Sequence, residues 1–315
     1  MILTYTQLLN ETINLYLTGD YEKAYNYITK YGNKVKGNLA QIYNFRYAIA
    51  SKAGMKDLAL ALMKEAIIDQ GFWYAKEYLE SDEDLNLLRD DSEFKNLVSI
   101  CNTREKEAHG VSEGEMALLI SEGVARSDNP QLIIALHGNQ ESNEISKLYW
   151  KDILDNNRMI ALLQSSEIEF SNAYSWNDLD RGENTIDNFK KRIITNLGVK
   201  EERIILSGFS AGARQVLHHS FVTNINIKGL ILLAPWLPEL EAWEEKLGIL
   251  RDQSIHVCIV CGNQDDDSFE DSKRLAKLLK KHQVMHHFHI IENLDHDYPS
   301  NFSIIIEDAL KFINS

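Results

Sequence analysis

The chain of 315 residues has little proline: Pro130, Pro235, Pro238 and Pro299 are all of it, and none falls in the first 129 positions. Proline removes a backbone donor and breaks helix interiors, so a proline-free third with helical spacing predicts helices there. Cysteine is scarce as well. Cys101, Cys258 and Cys261 make an odd count of three, which argues against a disulfide framework and suits a reducing, cytoplasmic setting. Cys258 and Cys261 have C-x-x-C spacing but lie in "SIHVCIVCG", a β-branched run that reads as a buried strand. Positions i and i+3 on a strand face opposite ways, so core cysteines are expected rather than a redox or metal pair. No uninterrupted apolar run reaches the ~18 residues of a membrane span. The opening "MILTYTQLLNETINLYLTGD" has neither the basic start nor the apolar core of a signal peptide and reads as an amphipathic helix. Positive charge is in deficit too: 33 basic residues against 47 acidic ones leave −14. Such a field repels phosphate backbones and anionic lipid, which argues against nucleic-acid or membrane-surface partners.

What remains is globular in composition, 44% hydrophobic and 25% charged, and long enough for two domains. In the proline-free part, "TGDYEKAYNYITKYG" and "KAGMKDLALALMKEA" each place an alanine five residues after a glycine, Gly19 with Ala24 and Gly54 with Ala59. The glycine would turn between two helices and the alanine would let them approach. The offset of 35 residues and the placement of Leu17, Gly19, Tyr21 and Ala24 make residues 1–70 resemble tetratricopeptide repeats. Two repeats are fewer than the roughly three that a free-standing solenoid needs. A helical domain over 1–108, packed on a second domain or another subunit and able to grip a protein or peptide, is therefore expected. Its charge is mild: 13 basic and 16 acidic residues in 1–110 give −3, leaving −11 for the rest.

Past the polar "TREKEAHGVSEGE" the pattern changes. Short apolar runs at 131–138, 158–165, 202–208, 227–235, 255–262 and 287–294 alternate with helical stretches such as "NTIDNFKKRIITNLG" and "DSKRLAKLLKKHQ". Near-continuous apolar strands separated by helices predict a doubly wound, mostly parallel α/β sheet over 109–315. Within it, Gly208-Phe209-Ser210-Ala211-Gly212 joins an apolar strand to a helical pattern. Alone, the pentapeptide is also what a glycine-rich turn looks like. In this context it has the form of a nucleophile elbow, in which a sharp turn projects the serine hydroxyl from the sheet and the helix start lends N–H groups to an oxyanion. A serine needs a base held by an acid, in the chain order Ser, Asp, His on loops after later strands. "CGNQDDDSFED" and "NLDHDYPSN" occupy those two places.

With "LHGNQ" (136–140), "SGFSAGA" (207–213), "GNQD" (262–265) and "LDHDYP" (294–299), residues ~128–315 resemble the α/β-hydrolase superfamily. They are most similar to its phospholipase/carboxylesterase, acyl-protein thioesterase and dienelactone-hydrolase-like branch. The resemblance implies Ser210 as nucleophile, His296 as base and Asp265 as orienting acid, ahead of Asp266 and Asp267. It also implies an oxyanion hole from the backbone N–H groups of Ala211 and Asn139, with Gly138 as the second choice and His137 bracing the loop. The chain departs from the pattern at Asp295 and Ala213, where relatives often carry glycine. His218 and His219 fall within the helix after Ser210, as packing or surface residues. His282, His286, His287 and His289 form a histidine-rich stretch with no paired carboxylate motif, so neither metal nor cofactor is expected. Residues 236–254 hold only a short helical stretch and no long cap, which implies an open site with Trp176 and Trp236 near it. Cleavage of a short or medium acyl ester is the expected reaction. Thioester or amide cleavage on the same triad, and a non-catalytic peptide-binding scaffold, are the alternatives.

Overall fold

A computed structural model describes residues 3–121, 130–155, 157–222 and 227–315. By its contacts the chain divides into two compact units, Met1–Ser112 with Ile168–Ala173, and Glu113–Glu167 with Tyr174–Ser315.

The first unit is built from helices α1 (Tyr5–Leu17), α2 (Tyr21–Tyr31), α3 (Leu39–Lys52), α4 (Lys56–Lys64), α5 (Lys76–Ser81) and α6 (Ser92–Val111). Their starts are set locally. Thr4 and Gln7 form a reciprocal capping box on α1, and the side chains of Asp20, Asn38 and Asp91 cap α2, α3 and α6. Gly19 and Gly54 occupy matching turns at φ +80° and +79°, a backbone region that glycine enters without a Cβ clash. Ala24 and Ala59 are fully buried where the paired helices meet. Tyr47, Met63, Ile67, Tyr74, Leu79 and Leu97 fill the core of this unit, and Ile168 and Phe170 pack against it.

The second unit is an open sheet in the order β1-β3-β2-β6-β7-β8-β9. Its strands are β1 (Glu115–Ile120), β2 (Gln131–Leu136), β3 (Arg158–Gln164), β6 (Ile204–Phe209), β7 (Gly229–Leu233), β8 (His256–Gly262) and β9 (His286–Ile291). Two short strands, β4 (Glu167–Phe170) and β5 (Ala173–Ser175), pair with each other outside it. Among the described residues, only β1 runs antiparallel to its neighbour in the large sheet. The apolar runs of the interior strands are explained by burial on both faces. Leu132, Ile134 and Leu136 of β2 enter one core, while Ile133 and Ala135 between them enter the other. The first core is closed by α8 (Leu179–Leu197), α9 (Ala211–Val222), α10 (Leu240–Trp243), α11 (Gly248–Asp252) and α12 (Phe269–Lys281). The second is closed by α7 (Asn143–Trp150) and α13 (Phe302–Ile313).

The three cysteines are buried and unpaired. Cys258 and Cys261 border the same core rather than opposite ones. No helix among the described residues is long and apolar enough to cross a membrane.

Candidate active site

The site is assembled where the parallel strands end. β6 passes directly into α9 through Ser210, whose φ of +54° lies in the left-handed region that a non-glycine residue seldom adopts. The flanking glycines make this turn sterically feasible. A Cβ on Gly208 would stand 2.3 Å from the Gly212 carbonyl carbon, and one on Gly212 would stand 2.3 Å from the His137 carbonyl oxygen. The turn is pinned by the Ser210 N–H, which donates to Leu233 O at 2.9 Å. The Ser210 carbonyl accepts from the N–H groups of Ala213 and Arg214 at 3.0 and 3.1 Å. Ala211 opens the helix, so its N–H has no acceptor within α9, and the helix dipole points its positive end at the turn.

The loop after β8 presents Asp265, which is 1% exposed. Its Oδ1 accepts from the N–H groups of Asp267 and Ser268 at 3.1 and 2.9 Å, and its Oδ2 accepts from His296 Nδ1 at 2.9 Å. Asp266 and Asp267 are exposed. His296 comes from the loop after β9, and its ring lies 4.9 Å from that of Phe209, the residue before Ser210. No hydrogen bond joins Ser210 to His296 here. Such contacts are often loose until substrate binds. Burial alone would lower the His296 pKa, but the hydrogen bond and charge of Asp265, with Asp267 and Glu141 behind it, raise it above the ordinary histidine value.

The third element is the loop after β2. His137 is fully buried, and burial pushes its pKa down to about 4, so it is neutral. Nε2 accepts from Ser165 N–H at 3.2 Å, which leaves the proton on Nδ1 to be donated to Gly138 O at 2.6 Å. The Asn139 side chain is also fixed: Oδ1 accepts from Trp176 N–H at 2.9 Å and Nδ2 donates to Asn177 Oδ1 at 3.0 Å. The Asn139 backbone N–H meets no acceptor among the described residues. Gly138 differs, because its N–H donates to Glu141 Oε2 at 2.9 Å.

Of the two tryptophans, Trp176 is fully buried and packs on His137, whereas Trp236 is 38% exposed. The Trp236 N–H donates to Ser210 O at 3.4 Å. The Arg214 guanidinium, paired with Glu239, stands 5.3 Å from the Trp236 ring centroid. His287 and His289 neighbour each other on β9, with ring centroids 5.8 Å apart. Elsewhere, Glu183, Asp187 and His219 bring donor atoms within 4.8 Å of one another. The Lys190 ammonium already occupies that cluster, 2.7 Å from Asp187 and 3.1 Å from His219 Nε2. Sequence reasoning did not single out Glu141, Arg214 or Glu239. The one hint of Glu141 was its place directly after "LHGNQ".

Residues 156–315, just over half of the chain, match the family described as Phospholipase/Carboxylesterase. Residues 4–109 match the A/B hydrolase-like, N-terminal domain. The chain belongs to the phospholipase/carboxylesterase family and is a carboxylic ester hydrolase of α/β-hydrolase fold. It is similar to the solved structure of an uncharacterized protein from Bacillus cereus ATCC 10987, at 41% identity over 99% of this chain and 100% of that one, with a TM-score of 0.57. Esterase PE8 is similar in fold at 18% identity, 64% and 99% coverage and a TM-score of 0.52. A carboxylesterase from Mesorhizobium loti is likewise similar in fold, at 15% identity, 62% and 93% coverage and a TM-score of 0.50. No curated protein matches the chain.

Proposed function

We propose that this esterase cleaves short and medium acyl esters through an acyl-enzyme on Ser210, with His296 as base and Asp265 as the acid that orients it. The observation that carries the reading is the strained Ser210 backbone at a strand-to-helix turn, since such strain persists only where the surrounding structure imposes it. His296 Nε2 takes the Ser210 proton as Oγ bonds to the ester carbon, and the carbonyl electrons move onto its oxygen. That oxyanion is received by the N–H groups of Ala211 and Asn139. Collapse expels the alcohol, which leaves with the proton from His296. Water then repeats the sequence on the acyl-enzyme and releases the acid. Asp265 stabilises the imidazolium by its 2.9 Å contact.

Residues 236–254 form only α10, α11 and the 3-10 turn between them, which supports an open site and a modest acyl group. The three buried, unpaired cysteines support a cytoplasmic setting. The matching glycine turns and buried alanines support a tetratricopeptide-like reading of the helical domain, 1–108, with a peptide or protein as its partner.

The test is hydrolysis of p-nitrophenyl esters from acetate to long chains by wild type and Ser210→Ala, with fluorophosphonate labelling of each. Wild type should be active and labelled at Ser210. The variant should be unlabelled and slower by several orders of magnitude in kcat. Equal hydrolysis by both proteins would remove Ser210 from the chemistry. Labelling without ester turnover would move the substrate to thioesters or amides, and inertness in both assays would favour a peptide-binding scaffold.

A further inference from the structure

Glu141 is a carboxyl group buried beneath the oxyanion loop, 9% exposed, and the reaction as proposed gives it no part. Burying a carboxyl is costly unless its hydrogen bonds are satisfied, so its presence calls for a reason. Its own backbone is fixed on both sides: Glu141 N–H donates to Gly138 O at 3.3 Å, and Glu141 O accepts from Tyr174 N–H at 3.0 Å. Its Oε2 then accepts the Gly138 N–H at 2.9 Å. A side chain at Gly138 would leave no room for this, because its Cβ would stand 3.3 Å from Glu141 Oε2 and 2.8 Å from Phe209 Cδ1. Carboxyl, Gly138 and the Phe209 ring therefore pack as one layer, and the Phe209 ring continues to His296.

We propose that Glu141 is a positioning residue of the esterase: its carboxylate holds the Gly138 N–H, fixes the loop's backbone, and leaves the Asn139 N–H as the donor for the oxyanion. The proposal rests on the serine-esterase reading above. It changes the donor inventory of the loop, because Gly138 N–H is committed to Glu141 and Asn139 N–H is not. It also places a second carboxylate in the field of the base. The groups around Glu141 are Asp297, His296 and Tyr298 from the loop before α13, and Tyr149 from α7. Around His296 they are Asp265 and Asp267 from the loop after β8, and Glu141 itself. Burial pushes the Glu141 carboxyl up to about 7, and Asp297 pushes the same way, against the Gly138 N–H, His296 and Tyr298. Each charge therefore favours the other: the imidazolium lowers the Glu141 pKa, and the carboxylate raises that of His296. An ionised Glu141 raises the His296 pKa, so removing its charge lowers it.

The experiment compares kcat and KM for p-nitrophenyl butyrate between pH 5 and 9 in wild type, Glu141→Gln and Glu141→Ala, with Ser210→Ala alongside. Glutamine can still accept from Gly138 N–H but carries no charge. Glu141→Gln should keep kcat within about threefold of wild type at high pH, and the acid limb of its kcat/KM profile should lie at lower pH. Glu141→Ala should lose about 30- to 100-fold in kcat with KM changed less than about threefold, since a misplaced oxyanion donor is missed in the transition state and not in binding. Three results would overturn the proposal: a Glu141→Gln limb that coincides with wild type, a Glu141→Ala kcat equal to wild type, or losses that glutamine does not restore. Activity in Ser210→Ala would instead sink the serine reading, independently of what the Glu141 variants do.

Discussion

Asp265, Asp266 and Asp267 are the same side chain three times over, and only their positions distinguish them. Asp265 is buried and receives two backbone N–H groups and the imidazole, while its neighbours are exposed. The proposed roles therefore predict that Asp265→Asn lowers kcat about 10⁴-fold by presenting the wrong hydrogen-bond pattern to His296. Asp267→Asn should leave kcat within about threefold and shift only the acid limb, since Asp267 acts on His296 through its charge. The sign follows from the raised His296 pKa. The base must be neutral, so kcat/KM climbs as pH rises through that raised value and levels above it. A pH–rate profile of the two variants checks both statements. The same shift has a stability consequence: the part of folding stability linked to His296 is complete below its unfolded pKa and fades as pH rises through the folded one. Ser210, Asp265 and His296 stand out in the sequence as candidates because glycine spacing and chain order mark them, and the structure brings Asp265 and His296 together. Glu141 could not, because a glutamate in a polar loop has no periodicity and its partner is a backbone N–H that any residue could supply.

At the scale of the element, two kinds of glycine coexist and should respond differently to the same substitution. Gly212 has φ below zero, but an added Cβ would meet the backbone oxygen of His137 at 2.3 Å, which no rotamer change can relieve. Gly54 is at φ +79° with nothing within 4 Å. Gly54→Ala should therefore cost only the left-handed penalty, about 1–2 kcal/mol. Gly212→Ala should cost about 3 kcal/mol or more, at or beyond the top of the usual overpacking range, and should also remove activity by pushing β6, α9 and the His137 loop apart. Urea unfolding of both variants gives the order, and a Gly54→Ala loss as large as that of Gly212→Ala would contradict it. The five interior parallel strands were readable because burial on both faces writes an uninterrupted apolar run into the sequence, and the edge strand β9, half-buried to exposed along its length, was found from the short apolar run at 287–294. β1 and the β4–β5 pair were not. β1 is an edge strand of half-buried and exposed residues, and β4 is half-buried throughout, so neither bears that signature. What pairs them is tertiary contact, which local pattern does not encode.

For the molecule as a whole, the chain does not pass once from helices to sheet. It returns to the helical unit for residues 168–173 before resuming α/β structure. Ser171 anchors the excursion. Its Oγ accepts from Trp73 N–H at 2.8 Å, its N–H donates to Trp73 O at 3.1 Å, and its carbonyl accepts from Asn38 Nδ2 at 3.1 Å. The His109 ring bonds Ile168 O at 3.0 Å, and Phe170 stacks on Tyr74 with centroids 6.1 Å apart. Every one of these partners is lost when residues 1–112 are removed, leaving Ile168, Phe170 and a ring of unmet backbone groups in water. A chain begun at residue 113 should therefore be less soluble and melt lower than the same chain with 168–173 replaced by a short Asn-Gly turn. In the intact 315-residue chain, Ser171→Ala strands the buried Trp73 N–H and should cost about 1–3 kcal/mol. The two measurements separate local anchoring from a general dependence on the helices. If trimming the excursion brings no gain and Ser171→Ala no loss, the segment contributes no stability, and the reason for its return to the helical unit must be sought in function instead.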